Sequence, residues 1–585
     1  MNGGSAELGA PELLLDGLDE NQRRAAEALR GPVCVLAGAG TGKTRAITYR
    51  IAYGVATGAY APNRVLALTF TARAASELRS RLRALGASGV AARTFHSAAL
   101  SQLNYFWPTV VGGQFPTVLE GKARLLGHAA ETLRLKIDTA TLRDLAAEIE
   151  WRKLSQLSIA EYTSVVSARP RSGSLTIEQT VALHQAYEDL KDARCQIDFE
   201  DVLLATTGMI ESEPQVALHI REQYRFFVVD EYQDVSPLQQ GLLDAWVGER
   251  RDLCVVGDAS QTIYAFAGAQ SEYLLTFGTR YEDAHVVRLD SNYRSTPEII
   301  DAANHLMRGR PGAVVLASPR VSDPDLSASR LASENASIEV DRYATDAREA
   351  RGVAERVAAR IATGVRPDDI AVLYRVNVQS VALEAALTDV GVSSHLRGAS
   401  RFFDLPEVKQ AVSHLRAASV SIIGEPLFKS VSDVLRSLGL TARPPESAGA
   451  VRNRWESLNA LMTLADQAPP ATTFRQFTDQ LLERQATHHE PDIAAVTLAT
   501  LHSAKGLEWN EVYLVGLSEG LVPISYAKTT EQVEEERRLL YVGITRARRK
   551  LVLSWATCGA NTAQERARSR FLEELGSHTR GEAHG

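Results

Sequence analysis

The stretch AGAGTGKT, Ala37–Thr44, has the residue types and spacing to bind a phosphate. It follows a short apolar run, Pro32–Leu36, and precedes a helical pattern, Thr44–Tyr53. Small residues let backbone amides wrap a phosphate at a helix N-terminus. Lys43 would bring charge to the β- and γ-phosphates, and the Thr44 hydroxyl would be a Mg²⁺ ligand. The strict pattern begins with Gly, where this chain has Ala37. The competing reading, an ordinary Gly-rich strand-to-helix turn, is opposed by GKT following GAGT. A second set lies in FFVVDEYQDVS. There an apolar strand, Phe226–Val229, would deliver Asp230 and Glu231 at its C-terminal end, where open α/β sheets bind ligands. Asp230 would hold Mg²⁺, usually through water, and Glu231 would orient or deprotonate an attacking water. Alone, such a pair is usually a solvated strand end; with the phosphate loop upstream it reads as the other half of a nucleotide site.

The elements needed to position these residues are legible as alternating strands and helices. Strands are expected at Pro32–Leu36, Val65–Thr69, Phe226–Val229, Leu253–Val256, Val286–Leu289, Ile370–Tyr374, Val496–Thr500, Glu511–Val515 and Lys550–Ser554. Helical patterns follow the first two, at Thr44–Tyr53 and Ala72–Leu85. That rhythm argues for parallel sheets with crossover helices. Residues near 118–195 and from about 401 to 492 are helical without clear strands, and Ser318–Ile338 is a Ser-, Asp- and Pro-rich connector. The expected fold class is α/β, with two cores that are each interrupted by a helical insertion.

Composition excludes several other classes. Of the 585 residues, 45% are hydrophobic and 23% charged, a globular balance rather than a disordered or collagenous one. No apolar run reaches the roughly 18–20 residues that span a bilayer. The N-terminus lacks the basic region of a signal peptide, so the expected compartment is the cytoplasm. A net charge of −7 argues against a histone-like polycation but leaves room for a local basic groove. Cys34, Cys195, Cys254 and Cys558 are too scattered for a zinc knuckle, and Cys34 and Cys254 read as small buried hydrophobes.

With AGAGTGKT and DEYQD in place, the chain resembles the UvrD/PcrA/Rep group of superfamily 1 DNA helicases. The resemblance continues in the family's order. LDENQRRAA at 18–26 is similar to the Q motif, ALTFTARAASEL at 67–78 to motif Ia, and TFHS at 94–97 to motif Ib. VVGDASQTIYAFAGA at 255–269 matches motif III and LDSNYRS at 289–295 motif IV. TLATLHSAKGLEW at 497–509 matches motif V, EEERRLLYVGITRAR at 534–548 motif VI, and SRFLEEL at 569–575 the closing helix. The subgroup resembled most is the second UvrD-type helicase of actinobacteria, without the helical module and four-cysteine element that follow in those relatives.

The resemblance implies two RecA-like cores, 1-107 with 198-287 and 288-400 with 493-585, and two insertions, 108-197 and 401-492. It implies ATP and Mg²⁺ as cofactors. The nucleotide would be held by Gln22, Ala37, Gly38, Ala39, Gly40, Thr41, Gly42, Lys43, Thr44 and Arg45, with Tyr293 stacked on the adenine and Glu508 on the ribose side. Gln22 would read the adenine edge. Thr44 and Asp230 would serve the metal. Lys43, Glu231, Gln261, Arg294 and Arg546 would act in hydrolysis, Gln261 as a γ-phosphate or water sensor and the two arginines as fingers carried by the second core. Phe70, Phe199, Tyr264 and Phe266 would stack on or wedge single-stranded bases. His96, Arg375, Asn377 and His502 would touch the DNA backbone. For each aromatic the alternative is a core side chain. Arg73, Arg79, Arg81 and Arg83 are expected to form mostly a solvated face.

Three departures from the family pattern stand out. Ala267 occupies the place of an Arg before Gly, and Phe266 that of a Trp. The second insertion is short and shows no Gly-rich hairpin. The chain stops soon after SRFL. The expected activity is a 3′-to-5′ DNA helicase and single-strand translocase in repair or replication, acting on single-stranded DNA and single/double-strand junctions, as a monomer or weak dimer, with repair proteins as possible partners and no membrane. The alternatives are a translocase that strips bound proteins and needs a partner or a further module to unwind, and a helicase subunit of a helicase–nuclease complex.

Overall fold

The computed structural model describes residues 11–137, 139–168, 175–319, 338–377, 379–397, 406–422, 424–441, 450–466, 468–469, 472–487, 495–525, 527–559, 565–575 and 582–584. The chain divides into two compact units, Met1–Gly38 with Gly42–Leu289, and Ala39–Thr41 with Asp290–Gly585.

The first unit is built on a six-stranded sheet of β1 (Val33–Ala37), β2 (Val65–Thr69), β3 (Ala91–Thr94), β6 (Phe226–Val229), β7 (Leu253–Gly257) and β8 (His285–Leu289). Its order is β3-β2-β6-β7-β1-β8, and every pairing is parallel. A parallel sheet is covered on both faces, so its central strands are apolar at successive positions rather than alternating. Cys34, Leu66, Leu68, Phe227, Val229, Leu253 and Val255 pack into one core. Val33, Val35, Val65, Ala67, Phe226, Val228, Cys254 and Val256 fill the opposite one. The register pairs Val35 with Val256 and Phe227 with Leu253, which puts these two sets on opposite faces.

A helical insertion between Ala123 and Ala193 has its own core of Leu125, Leu126, Leu145, Ile149, Leu183 and Tyr187. A short ladder of β4 (Thr117–Val118) and β5 (Gln196–Ile197) closes its base.

The second unit is built on β9 (Ile338–Thr345), β10 (Ile370–Tyr374), β11 (Ser394–Arg397), β12 (Val496–Thr500), β13 (Trp509–Leu514), β14 (Ala547–Cys558) and β15 (Glu582–His584), in the order β11-β12-β10-β13-β14-β9-β15. These pairings are also parallel. Its insertion consists of the helices Pro406–Ser421, Leu427–Ser437, Ala450–Asp466 and Phe474–Thr487 around a separate core that includes Val412, Leu415, Leu435, Leu461 and Phe477. Among the described residues, no helix is long and apolar enough to cross a membrane.

The α/β fold class and the expected strands are therefore present, with ends shifted by a few residues. The sequence reading omitted β3, β4, β5, β9, β11 and β15. Ala91–Thr94 and Ser394–Arg397 are short outer strands whose residues are mostly only half-buried, so neither carries an apolar run. Ile338–Thr345 hides its strand character behind charge, because Arg356 from the next helix pairs with both Glu339 and Asp341. The connector Ser318–Ile338 lies mostly outside the described residues.

Candidate nucleotide and DNA site

In the first unit, β1 ends at Ala37 and the helix Lys43–Ala56 begins six residues later. The turn requires left-handed backbone at Gly40 and Gly42, φ +69° and +80°, which glycine adopts without strain. Among the described residues no side chain caps the helix, so its first amides remain available to an anion. A Cβ on Gly42 would fall 2.7 Å from Gln22 Nε2. Gln22 is buried, and its placement is local. Asp19 caps the helix Glu20–Glu27 and accepts Gln22 N at 2.8 Å, while Gln22 Oε1 accepts Asp19 N at 3.4 Å. Arg45 turns away, donating to the Gly17 carbonyl at 2.6 Å. Lys43 Nζ is buried and makes no hydrogen bond among the described residues, and it has an ion-pair contact with Glu231 Oε1 at 3.7 Å. A buried ammonium without a hydrogen-bond acceptor, next to uncapped amides, fits a phosphate.

The strand β6 delivers Asp230 and Glu231 at its C-terminal end. Asp230 is buried, and its Oδ1 accepts Glu231 N at 2.9 Å. Glu231 is a non-glycine at φ +53°, a conformation that persists only where its surroundings enforce it. Those surroundings form a relay. Gln233 Nε2 donates to Glu231 Oε2 at 2.5 Å, and Gln233 Oε1 accepts Asp258 N at 2.9 Å. Asp258 Oδ2 then accepts Gln261 Nε2 at 2.7 Å. The relay passes close to Gly257 at the end of β7, where a Cβ would collide with Gln233 Oε1 and Leu274. Gln233 and Asp258 were missed as site residues. Their signal was present, since each lies inside a motif already singled out, DEYQD and GDASQ. The acidic and hydroxyl groups Asp230 and Thr44 are the hard-oxygen type that suits Mg²⁺.

In the second unit, Asn292 is fully buried and its Oδ1 accepts the amides of Arg294 and Ser295 at 2.8 and 2.9 Å. This fixes the turn that carries Tyr293, which is half-buried, and Arg294. Arg294 Nε pairs with Glu508, and its Nη1 donates to the Thr545 carbonyl at 3.1 Å. Arg548 pairs with the other oxygen of Glu508. Burial opposes charge on Glu508, but the two guanidiniums hold its carboxyl below the usual range. Arg546 is buried and donates to the carbonyls of Val542 at 2.9 Å and Leu507 at 3.1 Å and to Thr545 Oγ1 at 3.1 Å.

The expected DNA residues fall into different environments. Phe199 is 47% exposed as the first residue of the helix Phe199–Ser212. His96 meets it edge-on at 6.0 Å, and burial followed by Lys122 lowers the imidazole to about 4. Phe70 is half-buried against Phe95, 6.0 Å between ring centres. Tyr264 is half-buried, and burial and then the carboxylates of Asp234 and Glu231 push its hydroxyl up to about 12. The side chain of Phe266 lies outside the described residues. In the second unit Arg375 grips Glu536 with Nε at 3.0 Å and Nη2 at 2.8 Å, and Glu536 also accepts Ile524 N at 3.1 Å. His502 is lowered to about 4 by burial, then by Arg375 and Lys505. Asn377 is exposed, its carbonyl accepting Ser380 Oγ at 2.7 Å.

Behind Phe199 lies a charge cluster that sequence reasoning did not anticipate. Asp198 caps the Phe199 helix and accepts Lys153 Nζ at 2.8 Å and Tyr187 OH at 3.0 Å. Lys153 also reaches Asp201 at 2.6 Å, and Lys191 reaches Glu188 at 2.7 Å. Its members are scattered over 48 residues of sequence, so no spacing marks them.

The family model described as the UvrD/REP helicase N-terminal domain matches residues 18–282, and that of the UvrD-like helicase C-terminal domain matches 287–420 and 428–558. The chain is 46% identical to the ATP-dependent DNA helicase UvrD2 of Mycobacterium tuberculosis H37Rv, across 98% of this chain and 83% of that protein. It is 30% identical to DNA helicase II of Escherichia coli K12, across 96% and 88%. It is 29% identical to the ATP-dependent DNA helicase PcrA of Leuconostoc citreum, across 96% and 85%.

Proposed function

Since this chain belongs to the UvrD/REP family of helicases, we propose that it is an ATP-dependent DNA helicase that translocates 3′ to 5′ along single-stranded DNA and opens junctions in repair or replication. The observation that carries the nucleotide part is the Lys43–Glu231 pair, with an ammonium that, among the described residues, has no hydrogen bond at a helix start without a side-chain cap, and a carboxylate braced by Gln233, Asp258 and Gln261.

In this reading the amides after Ala37 and the Lys43 ammonium bind the phosphates. Thr44 and Asp230 hold Mg²⁺, which supplies charge neutralisation at the phosphates. Glu231 orients the attacking water and takes its proton, while Gln261 reports the γ-phosphate through Asp258 and Gln233. Gln22, Tyr293 and Glu508 bind base and ribose. Arg294 and Arg546 stabilise the charge that develops in transfer. Phe199, Phe70 and Tyr264 offer stacking surfaces to bases, and such stacking is indifferent to sequence. We assign the cores to 1-107 with 198-287 and 288-400 with 493-585, and the insertions to 108-197 and 401-492.

The test is strand displacement on duplexes with a 3′ or a 5′ single-stranded tail, beside ATPase with and without single-stranded DNA. The expected result is displacement of 3′-tailed duplex and DNA-stimulated ATPase. A preference for the 5′ tail overturns the direction, and ATPase indifferent to DNA overturns the motor. DNA-stimulated ATPase with no displacement from either tail replaces helicase by translocase.

A further inference from the structure

Glu508 carries one negative charge and faces two guanidiniums. Arg294 takes Oε2 through Nε, and Arg548 takes Oε1 through Nη2. The turn carrying Arg294 is seated on the start of β14, with Ser295 Oγ donating to the Ala547 carbonyl at 2.7 Å and Thr296 N to the Arg548 carbonyl at 3.0 Å. The two arginines are therefore held in register on either side of the same carboxylate.

A finger must leave its resting partner to meet charge that develops elsewhere. If Arg294 were the sole partner of Glu508, its departure would strand a partly buried carboxylate, and the penalty would add to the barrier. Arg548 removes that penalty, because Glu508 keeps a counter-charge when Arg294 leaves.

We propose that Arg548 is a positioning residue for hydrolysis, which releases Arg294 by sharing the Glu508 carboxylate. This rests on the reading of Arg294 as a finger given above.

Arg548→Ala leaves Arg294 as the remaining partner of Glu508 among the described residues. The expected result is a fall in kcat on the order of three- to tenfold with KM for ATP nearly unchanged, because the lost help acts only in the transition state. Calorimetry supplies a readout without turnover. Affinity for ADP with aluminium fluoride should fall by a similar factor, whereas affinity for ADP should stay within about twofold. Arg548→Lys keeps the charge and should restore both quantities. In a Glu508→Gln background, Arg548→Ala should have no further effect on kcat, since the shared charge is gone.

The proposal is overturned if Arg548→Ala leaves kcat and the aluminium fluoride affinity at parental values while Arg294→Ala abolishes turnover. It is overturned equally if the effect of Arg548→Ala persists in the Glu508→Gln background. If Arg294→Ala hydrolyses ATP normally, the finger reading itself falls and takes the proposal with it.

Discussion

Lys43 Nζ and Glu231 Oε1 stand 3.7 Å apart, a cation from the start of one helix and an anion from the end of β6. Neither motif alone makes a reaction centre. In the proposed reading, the pair sets a phosphate-binding charge beside a group that takes a proton. Replacing Glu231 by Gln keeps the shape and removes the base. Nucleotide affinity, read with a fluorescent ATP analogue, should stay within a fewfold of the parent, while kcat should fall by roughly two to four orders of magnitude. Turnover within about threefold of the parent would remove Glu231 from the chemistry.

Asn292 offers a second test. Its Oδ1 holds the amides of Arg294 and Ser295 in a fully buried place. Asn292→Ala leaves two amides without an acceptor, at about 1–3 kcal/mol each. Both the melting temperature and kcat should drop, because the same turn carries Arg294. An unchanged kcat alongside a lower melting temperature would show that the turn does not depend on Asn292 to present Arg294.

The cluster behind Phe199 is expected to matter for stability. The Lys153 side chain is only 3% exposed and balances Asp198 and Asp201. Lys153→Met removes one of the two ammoniums that face those carboxylates, Lys191 remaining beside both, so the loss should be measurable but smaller than the about 3–5 kcal/mol of breaking a lone buried pair. Urea unfolding followed by tryptophan fluorescence measures this. A loss below about 1 kcal/mol would mean that the carboxylates are solvated or protonated at little cost.

His184 gives the insertion an acid limit. Its ring is fully buried, stacked on Tyr162 at 4.6 Å, with neither nitrogen hydrogen-bonded among the described residues. Burial, then Arg152 and Lys153, lower the imidazole to about 3. The unfolded chain, with an ordinary imidazole near 6.5, therefore binds more protons than the folded one between these values. Stability from this group is complete above about pH 6.5 and is lost progressively as the pH falls toward 3. The loss at pH 5 should be about 2 kcal/mol. His184→Phe should flatten this part of the profile. An unchanged slope in urea titrations from pH 7 to 5 would place the acid sensitivity elsewhere.

The sequence by itself determined the parallel α/β fold class and the identity of the motifs. Strands buried on both faces must be apolar throughout, so Val65–Thr69, Phe226–Val229 and Ile370–Tyr374 announce themselves. A phosphate turn likewise needs glycines at fixed places before a helix. What the sequence left undecided are relations between distant residues. Gln233 reaches Asp258 across 25 positions, Lys153 meets Asp201 across 48, and Arg294 shares Glu508 with Arg548 across 214 and 40. Short outer strands such as Ala91–Thr94 were equally silent, because half-buried residues leave no apolar signature. Local pattern is written by burial and backbone geometry, which act over a few residues. Only the packed fold decides which charged and polar side chains meet, since their energy depends on the partners that burial brings within reach.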